Sequence, residues 1–260
     1  MLKSFKRFNF ISAALLILFV LCSEAGANIK IGIIGAMDVE IDFIKQSAKI
    51  NNTVTKAGIN FFEGTLGSHD IVIARCGMGK VNSGICAQIL IDSFKVTHVI
   101  NTGTAGAVGV NAPKIGSVII GSGAVQYDFD ATPIGFRLAE IPYTDCAEFP
   151  CDEDMREKFL ASAEKIVSPE KIIISKMFTA DQFLTDPEQI NRLQKLFNGS
   201  VCDMESGAIA QVCYLNNIPC AVIRCISDGE GDHKKEDFHA VEKTVSDVCA
   251  SIVVDMIKNF

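Results

Sequence analysis

Basic residues are scarce in this chain: 24 lysines and arginines stand against 31 aspartates and glutamates in 260 residues, a formal net charge of −7. Nucleic-acid binding leaves a basic patch or stripe as its footprint, so that class of partner is excluded. No internal repeat, low-complexity stretch or linker interrupts the sequence after residue 27, which excludes a modular array and leaves one domain. A membrane-spanning helix needs about 20 apolar residues, and the apolar core from Ile11 to Cys22 is short for one.

That short run has the flanks of an export signal. Lys3, Lys6 and Arg7 precede it, and Ala25-Gly26-Ala27 supplies small residues spaced for signal-peptidase cleavage. The expectation is a signal peptide over residues 1–27, a domain over residues 28–260, and an exported, periplasmic or otherwise extracytoplasmic location. An uncleaved anchor is the rival reading, and lipidation at Cys22 is disfavoured because Leu21 sits where a small residue belongs. Loss of the leader removes three bases and Glu24, leaving 21 basic against 30 acidic residues and a charge of −9.

Of ten cysteines, Cys22 leaves with the leader, and the odd number that remains lies largely in apolar segments such as 219–226. That is no disulfide scaffold. Only Cys146 and Cys151, flanking a proline-containing loop, are placed to pair, and two unpaired thiols are the equal alternative.

What is present is alternation. Apolar strand-like runs at 29–34, 71–76, 98–101, 117–121, 171–175 and 221–226 are interleaved with helical patterns at 39–47, 81–94, 153–166, 187–196, 206–215 and 238–257. The pattern predicts a single-domain α/β fold, a mixed but mainly parallel sheet flanked by helices. In the last helix Val241, Val245, Val248, Ile252 and Met256 mark a face for docking on the sheet. Asp186-Pro187-Glu188 reads as a helix start. Ligands of such sheets collect at the C-terminal ends of the strands, so the functional residues are expected in the strand-to-helix loops.

Each such segment has a plain reading beside a functional one. Gly35-Ala36-Met37-Asp38-Val39-Glu40 puts two acids at a helix start, where the dipole alone favours them. Cys76-Gly77-Met78-Gly79-Lys80 lacks the spacing and the following Ser/Thr of a phosphate loop, so a tight turn is the better account. Asn101-Thr102-Gly103-Thr104-Ala105-Gly106 offers small residues and backbone amides to a sugar or base. Asp203-Met204-Glu205-Ser206 and Arg224-Cys225-Ile226-Ser227-Asp228 bring acids that need partners or solvent, and ion pairing with Arg224 is the structural alternative.

Together these segments, with 181–184, resemble in order and spacing the 5'-methylthioadenosine/S-adenosylhomocysteine nucleosidases of the nucleoside phosphorylase superfamily, across residues 29–260. The resemblance implies a base site from Phe183, Leu184 and Asp228, with ribose hydroxyls held by Glu205 and the backbone of Met204. Met37, Met78 and Phe238 would line the sugar and thioalkyl region, with Thr104, Ala105 and Gly106 close to the ribose and Arg224 and Ser227 in the same substrate-binding set. It implies no metal and no organic cofactor. It also implies a homodimer in which the segment 131–142, through Ala131, Ile134 and Pro142, reaches the partner's thioalkyl pocket; the alternative is that these apolar residues fold onto their own core. The chain departs from the usual family pattern at Thr104, where serine is common, at Asp203, where glutamate is common, and at Asp38-Val39, where the run is more acidic.

The implied reaction is hydrolysis of the N-glycosidic bond of methylthioadenosine, S-adenosylhomocysteine and 5'-deoxyadenosine to release adenine. Breaking that bond leaves an oxocarbenium-like sugar and a purine anion, which call for an acid at N7, negative charge at the sugar and an activated water. Asp228, Glu205 and Glu40 suit those roles in turn. A purine nucleoside phosphorylase on the same fold is the nearest alternative, but it needs a cationic pocket where this chain has Asp38 and Glu40. An exported binding protein or adhesin is the other, and a surface ligand remains open as an additional partner.

The leader gives a direct test. Intact-mass measurement of native protein is expected to show a chain starting at Asn28, and a full-length species would overturn the export signal.

Overall fold

The apolar runs of the sequence become buried strands of one sheet. In the computed structural model the described residues are 29–109, 112–144, 146–184, 186–197, 201–228 and 235–260, with side chains described from residue 241 in the last segment. The signal expected over residues 1–27 and the side chain of Phe238 lie outside the described residues. The chain begins with β1 (Lys30–Gly35), α1 (Asp38–Ser47), β2 (Lys49–Lys56), β3 (Ile59–Leu66), β4 (His69–Arg75) and α2 (Lys80–Phe94). It continues through β5 (His98–Ala107), β6 (Val118–Gln126), the short β7 (Phe149–Pro150), α3 (Glu153–Ile166) and β8 (Ile172–Thr179). It ends with α4 (Pro187–Phe197), β9 (Val201–Asp203), α5 (Ser206–Asn216), β10 (Cys220–Asp228) and α6 (Lys235–Lys258).

The sheet is mixed. Parallel pairing joins β4, β1, β5 and β10 in that order, and also β6, β8 and β9. Antiparallel contacts join β10 to β6 and the end of β5 to β9, which closes β5, β10, β6, β8 and β9 into a ring. From that ring β1, β4, β3 and β2 extend as a wing. The β2–β3 hairpin has no counterpart in the apolar reading, because β2 is KINNTVTK and mostly exposed. Its turn, Ala57-Gly58, has φ of +50° and +75°, the left-handed conformations that a two-residue hairpin loop requires.

Helices cover both faces. Ile31, Ile33, Ile71 and Ile73 pack under α1, α3 and α6, with Phe159 and Val253 among their neighbours. Ile34, Val72 and Val99 turn the other way, toward Leu90 of α2 and Ile209 of α5. The docking face expected on α6 is present: Val245, Ile252 and Met256 are buried, and Val241 and Val248 pack at its edge. Asp186 caps α4, accepting the Glu188 N–H at 3.0 Å.

The segment 101–106 was expected as a loop leaving a strand, and the structure corrects that. β5 runs on to Ala107, because Thr102 to Gly106 keep pairing with β10 on one side while Gly106 and Ala107 meet β9 on the other. Cys146 and Cys151 are both free thiols.

Candidate active site

Glu40 shows how one residue serves both readings given to its segment. It stands in the first turn of α1, where its Oε2 accepts the N–H groups of Ala36 (2.6 Å) and Met37 (3.0 Å) and so caps the helix. Its Oε1 crosses to β5, accepting the Thr104 N–H at 2.8 Å and, at 3.4 Å, the Thr104 hydroxyl. Burial pushes its pKa up, and the Arg224 charge and these backbone donors only partly oppose that.

Glu205 lies at the start of α5, also buried. Its Oε1 accepts the Gly79 N–H at 3.0 Å and its Oε2 lies 3.5 Å from Arg224 Nη2. Burial, with Asp203 and Glu40 adding to it, raises its pKa to about 7 against the lowering effect of Arg224 and the Gly79 amide. The glycine turn at 77–80 is therefore not a phosphate cradle: the Gly79 amide is given to Glu205, and Lys80 Nζ pairs with Asp128 at 2.6 Å.

Asp228 ends β10. The pairing partners of Ile226 and Asp228 on β5 are the adjacent residues Ala105 and Gly106, so Ser227 is the extra residue of a bulge. The bulge breaks the two-residue alternation that would put Asp228 on the face of the buried Ile226. Ser227 Oγ donates to Asp228 Oδ1 at 2.8 Å. Gly106 admits the carboxylate closely: a Cβ there would lie 3.2 Å from Asp228 Oδ2.

These three carboxylates border one cavity of about 290 Å³. Met37, Met78, Thr104, Ala105 and Gly106 line it, and so do Phe183, Leu184, Met204 and Ser227. Among the lining residues that sequence reasoning missed are Gln182, Cys202 and Glu242. Gln182 and Cys202 adjoin recognised segments and could have been inferred from them. Glu242 carries no sequence signal, since an acid inside a long helix looks like part of a solvated face.

Arg224 is a correction. It was placed with the substrate-binding residues, but it does not border the cavity and is wholly buried beneath it. Its Nε and Nη2 donate to Asp203 Oδ2 at 3.1 and 2.7 Å, Nη2 to Asn101 Oδ1 at 2.7 Å, and Nη1 to the Thr102 carbonyl at 3.2 Å. Burial opposes its charge, but Asp203, Glu205 and Glu40 outweigh that and raise its pKa, so it stays a cation. Asp203 is anchored in turn by Thr179 Oγ1 at 2.6 Å and by Ser206. Ala131, Ile134 and Pro142 also stand away from this cavity: Ala131 is buried, whereas Ile134 is 76% exposed.

Among the described residues no lysine or arginine borders the cavity. A model of the phosphorylase superfamily matches residues 30–258. The chain is also 38% identical over 213 residues to the 5'-methylthioadenosine/S-adenosylhomocysteine nucleosidase of Shewanella denitrificans, which covers 80% of this chain and 90% of that protein. The chain belongs to the methylthioadenosine/S-adenosylhomocysteine nucleosidase family of the phosphorylase superfamily. The family member from Shewanella frigidimarina is 36% identical over 210 residues, with the same coverage of both chains. Among solved structures, the nucleosidase of Neisseria meningitidis in complex with methylthio-immucillin-A superposes with a TM-score of 0.82 at 28% identity, covering 89% of this chain and 99% of that one. Futalosine hydrolase of Helicobacter pylori also gives 0.82, at 26% identity over 89% and 98%.

In this nucleosidase the tightest steric constraint on the carboxylates is Gly103. An added Cβ would overlap both Glu40 Oε1 and the Arg224 guanidinium, and φ of +153° already favours glycine. Displacing a reacting group by about 1 Å can cost about 10²-fold in rate. Gly103→Ala is therefore expected to lower kcat/KM by about that factor in a direct adenine-release assay, and wild-type turnover would show that Glu40 need not sit where it does.

Proposed function

We infer that this protein releases adenine from methylthioadenosine and S-adenosylhomocysteine by hydrolysis, with 5'-deoxyadenosine as a further substrate. The observation that carries the reading is the meeting of Glu40, Glu205 and Asp228 around one cavity that no lysine or arginine borders among the described residues.

The chemistry follows from the three environments. Asp228 hands its proton to N7 of the purine, so the base departs neutral instead of as an anion. Glu205 accepts the ribose hydroxyls and places negative charge beside the sugar as it becomes oxocarbenium-like. Glu40, its pKa raised by burial toward the working pH, accepts a proton from the attacking water. Its weakest contact is the 3.4 Å one from Thr104 Oγ1, which is the place for the water to join. Phe183 and Met78, both more than half exposed at the rim, gain cover when adenine and the thioalkyl group bind.

A positioned proton donor or acceptor is worth about 10² to 10⁴-fold. Asp228→Asn and Glu40→Gln are each expected to lose at least about 10²-fold in kcat, and adenine release by the wild type is expected to be independent of phosphate. A ribose 1-phosphate product would move the protein to the phosphorylases, and near-normal turnover of Asp228→Asn would remove Asp228 as the acid.

The working unit is a homodimer acting outside the cytoplasm. Tyr143 projects fully and Ile134 largely into solvent from the segment between β6 and β7, and Val81 of α2 and Phe183 beside the cavity are also largely exposed. Apolar surface of this kind is suited to a partner subunit. Light scattering is expected to give twice the chain mass, with Ile134→Asp weakening both association and methylthioadenosine binding; a fully active monomer at nanomolar concentration would overturn the shared pocket.

A further inference from the structure

A second ion network stands at the rim of the cavity, and no step of the reaction uses it. Asp181 opens the loop that carries Phe183 and Leu184, and it does not itself border the cavity. Its Oδ1 accepts the backbone N–H of Lys80, at the first turn of α2, at 2.7 Å. Its own N–H donates to Asp128 Oδ2 at 3.2 Å, and Asp128 Oδ1 accepts from Lys80 Nζ at 2.6 Å. The Lys80 and Asp128 side chains are only 18% and 25% exposed, so solvent screens this pair less than an ordinary surface pair. The segments that follow β4, β6 and β8 are thereby tied together.

The turn held in this way is the one that orients Glu205. The Gly79 N–H, next to the Lys80 N–H held by Asp181, donates to Glu205 Oε1 at 3.0 Å. Gly79 itself, at φ +97°, sits so close that an added Cβ would lie 3.0 Å from Asp181 Oδ1. Asp181 thus stands two residues from the exposed ring of Phe183 on one side and one peptide group from the Glu205 amide donor on the other.

We propose that Asp181, with Lys80 and Asp128, is a positioning device that holds the purine-stacking loop and the Gly79 amide in fixed register, so that seating the base also sets Glu205 for the ribose. The proposal rests on the nucleosidase reading and adds residues that touch no reacting atom. Glu205 faces Arg224 from β10, Asp203 from β9, Glu40 from α1 and the Cys76 thiol beyond β4, with the Gly79 amide on its outer side. Removing that amide takes away an influence that lowers the Glu205 pKa, so the pKa moves further up.

The test is the pH profile of kcat/KM for adenine release, with kcat and KM also measured separately. Asp181→Ala is expected to raise KM and lower kcat, each by about 10-fold, well short of the roughly 10²-fold loss for a proton-transfer group, and to shift the acidic limb to higher pH. Asp181→Asn keeps an acceptor for the Lys80 N–H and is expected to recover most of kcat and the wild-type limb. Lys80→Met breaks the side-chain pair with Asp128 but keeps the backbone N–H, so a smaller shift of the same sign is expected; it carries the test if Asp181→Ala does not fold. A rise in KM alone, or a lowered melting temperature with an unmoved acidic limb, would make the network a stabiliser of the loop and overturn the proposal. Wild-type protein in the same assay separates the two failures: no adenine from it strikes the nucleosidase reading, whereas an active wild type with unshifted variants strikes only the positioning role.

Discussion

Taking a guanidinium wholly out of water costs several kcal/mol unless its donors find acceptors and its charge is answered. Arg224 meets that condition with acceptors drawn from separate parts of the chain: Asp203 on β9, Glu205 at the head of α5, and Asn101 and Thr102 on β5. It projects from β10, a strand paired to both β5 and β6 and so a member of the closed ring. The dependence runs both ways. Without the cation, Asp203 and Glu205 would be buried with only neutral hydrogen-bond donors to answer their charge, and without the carboxylates the arginine could not remain charged in the interior. Removing one partner from a buried pair typically costs about 3–5 kcal/mol, because the other charge is left behind.

The balance of that cluster explains the chemistry better than its composition does. One cation faces Asp203, Glu205 and Glu40, and its attraction is not enough to cancel the effect of burial on the latter two, whose pKa values stay raised. A carboxylate in that condition accepts protons more readily than an exposed one, as a water-activating base must. Geometry keeps the roles apart. Both oxygens of Glu40 are pinned by backbone amides, from the turn before α1 and from β5, whereas Asp228 is turned into the cavity by a bulge and accepts the Ser227 hydroxyl.

Much of this was legible in the sequence, because strand periodicity, helix starts and short acidic segments are local features. The three carboxylates that border the cavity stood out because each lies at a strand end or helix start, where an acid needs an explanation. The burial of Arg224 was not legible: whether an arginine beside an acid faces the ligand or lies beneath it depends on pairing between β10, β5 and β9, which no local pattern encodes. The same holds for the continuation of β5 through Gly103 to Ala107, whose small residues look like a loop until two neighbouring strands are supplied. The β2 edge escaped notice because a strand exposed on most positions carries no apolar alternation. Glu242 escaped because only packing, and not spacing, turns that part of α6 toward the cavity.

The choice of water over phosphate agrees with where Arg224, the central cation among the described residues, is turned. A phosphorylase must keep positive charge facing the cavity beside the anomeric carbon, since an oxyanion will not settle among carboxylates without it. Here the buried guanidinium is turned inward and engaged by Asp203, Asn101 and Thr102, and the side of the cavity nearest to it is walled by Glu40 and Glu205. Arg75, the other arginine near the start of α1, is paired at the surface with Asp38 at 3.2 Å. Among the described residues, the ionisable carboxyl groups lining the cavity face no lysine or arginine there. Such a lining suits a cationic sugar better than an anionic nucleophile, in keeping with attack by neutral water.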